Sequence, residues 1–149
     1  MKISLGCDEA AYQLKETIKH LQEAGHEVID NGVGEGEVEL YPDVAVRTCK
    51  KVTDGTCDRG ILVCGTGIGM AMTANKVPGI RAAVCHDPFS TERSVLSNDA
   101  NVMCMGARVI APQLALYLLD IWMKLTFKNG PSTPKVERIM EYQKEFCGK

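Results

Sequence analysis

Three features of the sequence predict an α/β fold with a doubly wound parallel sheet. Five short apolar runs, at residues 3–6, 26–30, 60–64, 80–85 and 101–105, alternate with segments of helical period. Strands of that length separated by helices are the pattern of βαβ units. Right-handed crossovers between such strands place helices on both faces, giving three layers. The third feature lies after the fifth run: a long helical segment from Pro112 to Phe127, then an extra C-terminal helix from about Ser132.

Each element has its own justification. Ile3-Ser4-Leu5-Gly6 reads as a buried strand, and Ala11, Leu14, Ile18 and Leu21 make the apolar stripe of the next helix. Gly25 suits its left-handed C′ position. His26 to Asp30 is a second strand, and residues 32–36 form a glycine-rich loop. Tyr41-Pro42-Asp43 opens a helix that carries Val44, Ala45, Thr48, Cys49 and Val52 on one side. Gly60–Cys64, Ile80–Cys85 and Asn101–Met105 are the remaining strands, with helices expected from Met70, Ser90 and Pro112. Ser132 suits an N-cap with Pro134 in the first turn, and Val136, Ile139, Met140 and Phe146 need a surface to cover. No internal repeat or linker interrupts residues 1–149, which read as one domain.

Composition narrows the function. The chain has 149 residues, 45% hydrophobic and 24% charged, with a net charge of −2. Such a balance offers no basic excess for nucleic acid or an anionic membrane. The longest uncharged stretch, residues 60–75, holds four glycines and is too short to span a bilayer. No signal peptide is read at the N-terminus. Seven cysteines without CxxC spacing argue for reduced thiols in a cytoplasmic protein.

Ligands of open α/β sheets bind outside the carboxyl ends of the strands. Those ends are Cys7-Asp8-Glu9, Cys64 to Gly69, His86-Asp87 and Gly106 to Arg108. Cys64-Gly65-Thr66-Gly67-Ile68-Gly69 stands out, joining a buried strand to a helix through alternating glycines. Its N–H groups are expected to converge on one anion. A dinucleotide fingerprint is misfitted, because the third glycine comes one residue early and the motif follows the third strand. A Walker loop lacks its Gly-Lys-Ser/Thr ending. A tight turn with a buried cysteine stays open. The chemical reading is a thiol whose pKa is lowered at a helix N-terminus, acting as a base beside a carbonyl.

With those segments in place, the chain resembles the ribose-5-phosphate isomerase B and galactose-6-phosphate isomerase family. The likeness rests on GCD at 6–8, Tyr41-Pro42, ILVCGTGIG at 61–69, ANKVPGIRAAVC at 74–85, SND-ANV at 97–102 and GARV at 106–109. The resemblance implies a Rossmann-like five-stranded sheet, a homodimer or tetramer with active sites at the subunit interface, and a metal-free aldose–ketose isomerisation through a cis-enediol. It implies no cofactor. Cys64 matches the base, and Thr66 a group that exchanges protons with sugar hydroxyls. Gly65, Gly67, Ile68 and Gly69 match the N–H loop around the carbonyl. Asp8 and Asn98 match sugar ligands, Tyr41 a pocket wall and Arg108 a phosphate ligand, with Arg108 and Lys135 reaching across the interface.

Four positions depart from the ribose-5-phosphate pattern: Glu9 and Ser97 replace histidines, and Pro131 and Lys135 replace arginines. Ser97 removes the ring-opening histidine, which fits an acyclic tetrulose 4-phosphate, as in the erythrulose-4-phosphate branch. Glu9 then meets sugar hydroxyls or a cation. Lys135, with Ser132 at a helix start, would rebuild the phosphate site, and Arg93 is a further candidate. His86 is balanced between a site role and a structural one. A non-catalytic subunit of a mixed isomerase is the remaining alternative. His20 and His26 read as surface or structural, Cys7, Cys85 and Cys104 as core, Trp122 as core or dimer contact, and Met70 and Met72 as packing beneath the loop.

Overall fold

The computed structural model describes residues 1–147. Five strands form one sheet: β1 (Lys2–Cys7), β2 (Glu27–Asp30), β3 (Arg59–Cys64), β4 (Ala82–Val84) and β5 (Val102–Gly106). All pair in parallel, in the order β2-β1-β3-β5-β4. The central strands are buried along nearly their whole length, as sheets covered on both faces require.

Six α-helices accompany them: α1 (Tyr12–Ile18), α2 (Tyr41–Thr53), α3 (Ile68–Ala74), α4 (Pro88–Leu96), α5 (Pro112–Lys124) and α6 (Thr133–Cys147). α2 packs on α3, while α5 packs between α1 and α4. Ser4 shows which face α2 covers, since its hydroxyl donates to the Thr48 carbonyl at 2.9 Å. Leu118, Leu119 and Trp122 are fully buried on α5. Arg59 ties off that helix by stacking 4.8 Å from the Trp122 ring and donating to the Trp122 and Leu125 carbonyls. Among the described residues no helix is long and apolar enough to cross a membrane.

The first helical segment is less regular than its stripe implied. Turns of 3₁₀ helix at Glu9–Ala11 and Lys19–Gln22 flank α1. Asp8 caps the first by accepting from the Ala10 N–H, which holds the chain's exit from β1 in place. Gly25 has φ +84°, and the Gly25 and His26 N–H groups return to the Gln22 and Leu21 carbonyls in a Schellman pattern.

β4 is shorter than the run 80–85. It lies at the sheet edge, and after the Cys85 N–H bonds the Cys104 carbonyl the chain leaves the ladder. The Asn75 amide covers its open side, donating to the Ala82 carbonyl and accepting from the Ala82 N–H, as a neighbouring strand would. α6 also departs from expectation. Val136 alone is buried, whereas Ile139 and Phe146 are 48% and 76% exposed, so one chain leaves most of that stripe uncovered.

A buried cation anchors the glycine-rich loop. The Lys15 Nζ lies 2.6 Å from the Val33 carbonyl and 2.9 Å from Asp30. Burial alone would raise the Asp30 carboxyl, but hydrogen bonds from Lys19 and Lys15 hold it below its ordinary value. Its contribution is therefore present above about pH 4 and lost as pH falls through the lowered value. Lys15→Met is expected to cost about 2–4 kcal/mol in urea unfolding at pH 7, because Val33 and Asp30 lose a buried partner. The loss of stability on acidification below about pH 4 should shrink in the variant.

Candidate active site

The strand order reverses direction beside β1 and β3, and a cleft opens at their carboxyl ends. β1 delivers Asp8 and Glu9 to it, β3 delivers Cys64 with Gly65 and Thr66, and α3 adds Ile68, Gly69 and Met72. Tyr41 from α2 and Arg108 from the turn after β5 complete the walls. Residues as far apart in the chain as Asp8 and Arg108 thus share one opening.

Cys64 is 5% exposed at the floor, and its sulfur accepts from the Gly67 N–H at 3.1 Å. Such a donor supports negative charge on sulfur. Thr66 is exposed, and its hydroxyl oxygen accepts from the Ile68 N–H at 3.4 Å. The turn depends on glycine at two places. Gly67 has φ +78°, a left-handed conformation at the start of α3. Gly106 lies against the loop so closely that a Cβ there would sit 2.6 Å from the Thr66 Cα. Two ladder-like bonds lock the contact: Ala107 N–H to the Cys64 carbonyl at 2.9 Å, and Arg108 N–H to the Gly65 carbonyl at 3.0 Å.

Charge in the cleft is mixed. Burial, and then Glu9, raise the Asp8 carboxyl above its ordinary value, while the Ala10 and Ala11 N–H groups and Arg108 oppose them. The resemblance implies that Arg108 reaches across an interface, but it lines the cleft of its own chain. Met72, expected beneath the loop, is instead 66% exposed on the cleft wall, while Met70 alone is buried below.

Several expected site residues lie elsewhere. Ser97 ends α4, and the Asn98 amide donates to the Arg93 carbonyl beside a different groove, under α6. Arg93 is paired with Glu92 at 2.6 Å. Lys135 is exposed on α6, and Ser132 stands at its N-cap, with its carbonyl accepting from the Lys135 and Val136 N–H groups. His86 is engaged by the backbone, accepting from the Gly106 N–H at 2.8 Å. Met72 is a cleft residue that sequence reasoning missed. Its signal was the i+3 and i+4 spacing from Gly69 and Ile68, which places it on the rim face of α3.

With this geometry established, comparison with known proteins is decisive. The model of the ribose/galactose isomerase family matches residues 3–139. The chain belongs to that family. It is 52% identical to a ribose-5-P isomerase B of Listeria innocua, covering 95% of this chain and 96% of that one. It is 48% identical to a D-erythrulose-4-phosphate isomerase of Pectobacterium atrosepticum, covering 96% and 95%. Among solved structures, the ribose-5-phosphate isomerase B of Clostridium thermocellum superposes with a TM-score of 0.95 at 44% identity, covering 98% of this chain and 99% of that one. The family fold is thus the five-stranded parallel sheet described above, including its C-terminal helix.

Gly106 and Gly69 make close contacts of different kinds. A Cβ at Gly106 meets fixed backbone, whereas the nearest atoms to one at Gly69 belong to the Tyr41 side chain, at 2.6 Å. Gly106→Ala is expected to lower stability by about 1–3 kcal/mol, and Gly69→Ala by about 1 kcal/mol or less, since Tyr41 can swing outward. Chemical denaturation of both variants checks the order.

Proposed function

We propose that this chain is an aldose–ketose isomerase of a small phosphorylated sugar, with Cys64 as the base. The observation that carries this reading is the shared cleft of the Cys64 thiol, the Gly65–Gly69 loop, Asp8 and Arg108. Relatives bearing isomerase names over nearly the full length support it.

Chemically, the thiolate takes the C–H proton next to the carbonyl, and the electron pair forms the second bond of a cis-enediol. The former carbonyl oxygen gains a proton, the neighbouring hydroxyl loses one, and Cys64 returns its proton to the adjacent carbon. Thr66 is suited to pass the hydroxyl proton. Loop N–H groups steady the oxygen that becomes negative, and such preorganised donors are worth about 3–4 kcal/mol each in comparable sites. Asp8, Glu9 and Tyr41 then hold sugar hydroxyls, and Arg108 holds phosphate. No step calls for a cofactor.

The chain is read as a homodimer or higher oligomer in which Ser97, Asn98 and Lys135 enter the cleft from a second copy. The uncovered apolar face of α6 supports this reading. Free cysteines throughout the described residues support a reducing, cytoplasmic setting.

Ser97 favours a second reading, in which the substrate is an acyclic tetrulose 4-phosphate. A four-carbon sugar with phosphate on O4 cannot close a furanose ring and needs no ring-opening acid–base group. The Pectobacterium relative's name is consistent with it.

Cys64→Ala is expected to reduce kcat by about 10²–10⁴-fold, with stability changed by about 1 kcal/mol. Retained turnover would assign the base elsewhere. For substrate choice, kcat/KM on erythrulose 4-phosphate should exceed that on ribose 5-phosphate by about tenfold or more, a difference of about 1.4 kcal/mol. The opposite ranking would leave the pentose reading standing. Lys135→Ala should raise KM with little change in kcat, as loss of a phosphate contact does.

A further inference from the structure

The sheet is incomplete at the carboxyl end of β4, next to the cleft. β4 pairs with β5 through Val84 opposite Cys104, and the Cys85 N–H still bonds the Cys104 carbonyl. The same register would set residue 86 opposite Gly106, but the strand has ended and the main chain is running toward the α4 N-cap at Asp87. In place of a main-chain partner, the Gly106 N–H donates to the His86 Nε2 at 2.8 Å. The imidazole continues the ladder by one step.

Gly106 is a sensitive place for such a bond. Its carbonyl accepts from Val109 and Ile110, closing the turn that carries Arg108. It has no room for a Cβ, which would lie 2.6 Å from the Thr66 backbone, and the next two N–H groups hold the Cys64 and Gly65 carbonyls. A rotation of the Gly106 peptide would therefore move the Cys64 loop and Arg108 together.

We propose that His86 is a positioning residue for the reaction centre, its unprotonated Nε2 fixing Gly106 and, through it, the Cys64–Gly67 loop and Arg108. The inference rests on the isomerase reading for its kinetic consequence, but not for its structural one. A ring nitrogen that accepts from an N–H carries no proton, so His86 is the neutral Nδ1–H tautomer. Burial pushes the imidazole below its ordinary value, against the pull of Asp87, and so favours that neutral form. His86 touches no reacting atom here. Its effect passes through the backbone.

The test compares His86→Ala with His86→Gln, whose Oε1 can accept at nearly the place of Nε2. In ¹⁵N spectra of the full chain, His86→Ala should shift the amides of Gly65, Thr66, Gly67 and Gly106 and speed exchange of the Gly106 N–H. His86→Gln should restore both. With a sugar phosphate, kcat of His86→Ala should fall about tenfold with KM within about twofold, and the Gln variant should stay within about threefold of wild type. Unmoved loop amides in His86→Ala, or kcat equally low in Gln and Ala, would overturn the proposal. If wild-type protein turns over no sugar phosphate, the isomerase reading fails, and the amide shifts still decide whether His86 positions the loop.

Discussion

The candidate site depends on the close packing of two backbone turns, residues 64–67 after β3 and residues 105–108 after β5. A Cβ at Gly67 would lie 2.9 Å from the Met105 carbonyl carbon, and one at Gly106 would lie 2.6 Å from Thr66. Two N–H···O bonds extend the β3–β5 ladder past the end of the strands. The result is a thiol held at a fixed depth, with the Gly67 N–H on its sulfur and Arg108 alongside. The small residues are there for proximity, and the chemistry arises from the groups that proximity brings together.

Much of this arrangement was legible in the sequence. The strand runs placed Asp8, Cys64 and Arg108 at carboxyl ends, and the parallel-sheet rule then predicts that they meet. Gly25 as a helix terminator was equally readable from left-handed preference, whereas Trp122, open between core and dimer contact in the sequence, is core. The features that could not be read were set by tertiary context. β4 ends at Val84 as an edge strand whose open side Asn75 covers at Ala82, and periodicity carries no information about edges. Met72 and Met70 look alike in sequence, yet two positions on a helix turn one outward and the other inward. His86 stayed ambiguous because its partner is a backbone N–H twenty residues away.

A single chain also separates residues that the family resemblance associates. Asp8, Tyr41, Cys64 and Arg108 line the cleft, whereas Asn98 lines the groove beneath α6 and Ser97 lies beside it at the end of α4. An apolar helix face left largely exposed, next to an edge strand, is expensive in water. Assembly of two copies would resolve both features, covering the stripe of α6 and bringing polar groups to an otherwise one-sided cleft. In the proposed dimer, that division of labour would make catalysis conditional on assembly, since the base and its N–H loop would come from one chain and part of the substrate contact from another.

The most direct measurement of the central claim, that Cys64 is the base, is turnover in D₂O followed by NMR. A thiol that removes a carbon-bound proton shares it with solvent before returning it. Wild-type protein is expected to place deuterium on the reacting carbon of its sugar phosphate, and Cys64→Ala to do so at least about a hundredfold more slowly. Deuterium entering at the wild-type rate in Cys64→Ala would contradict the assignment.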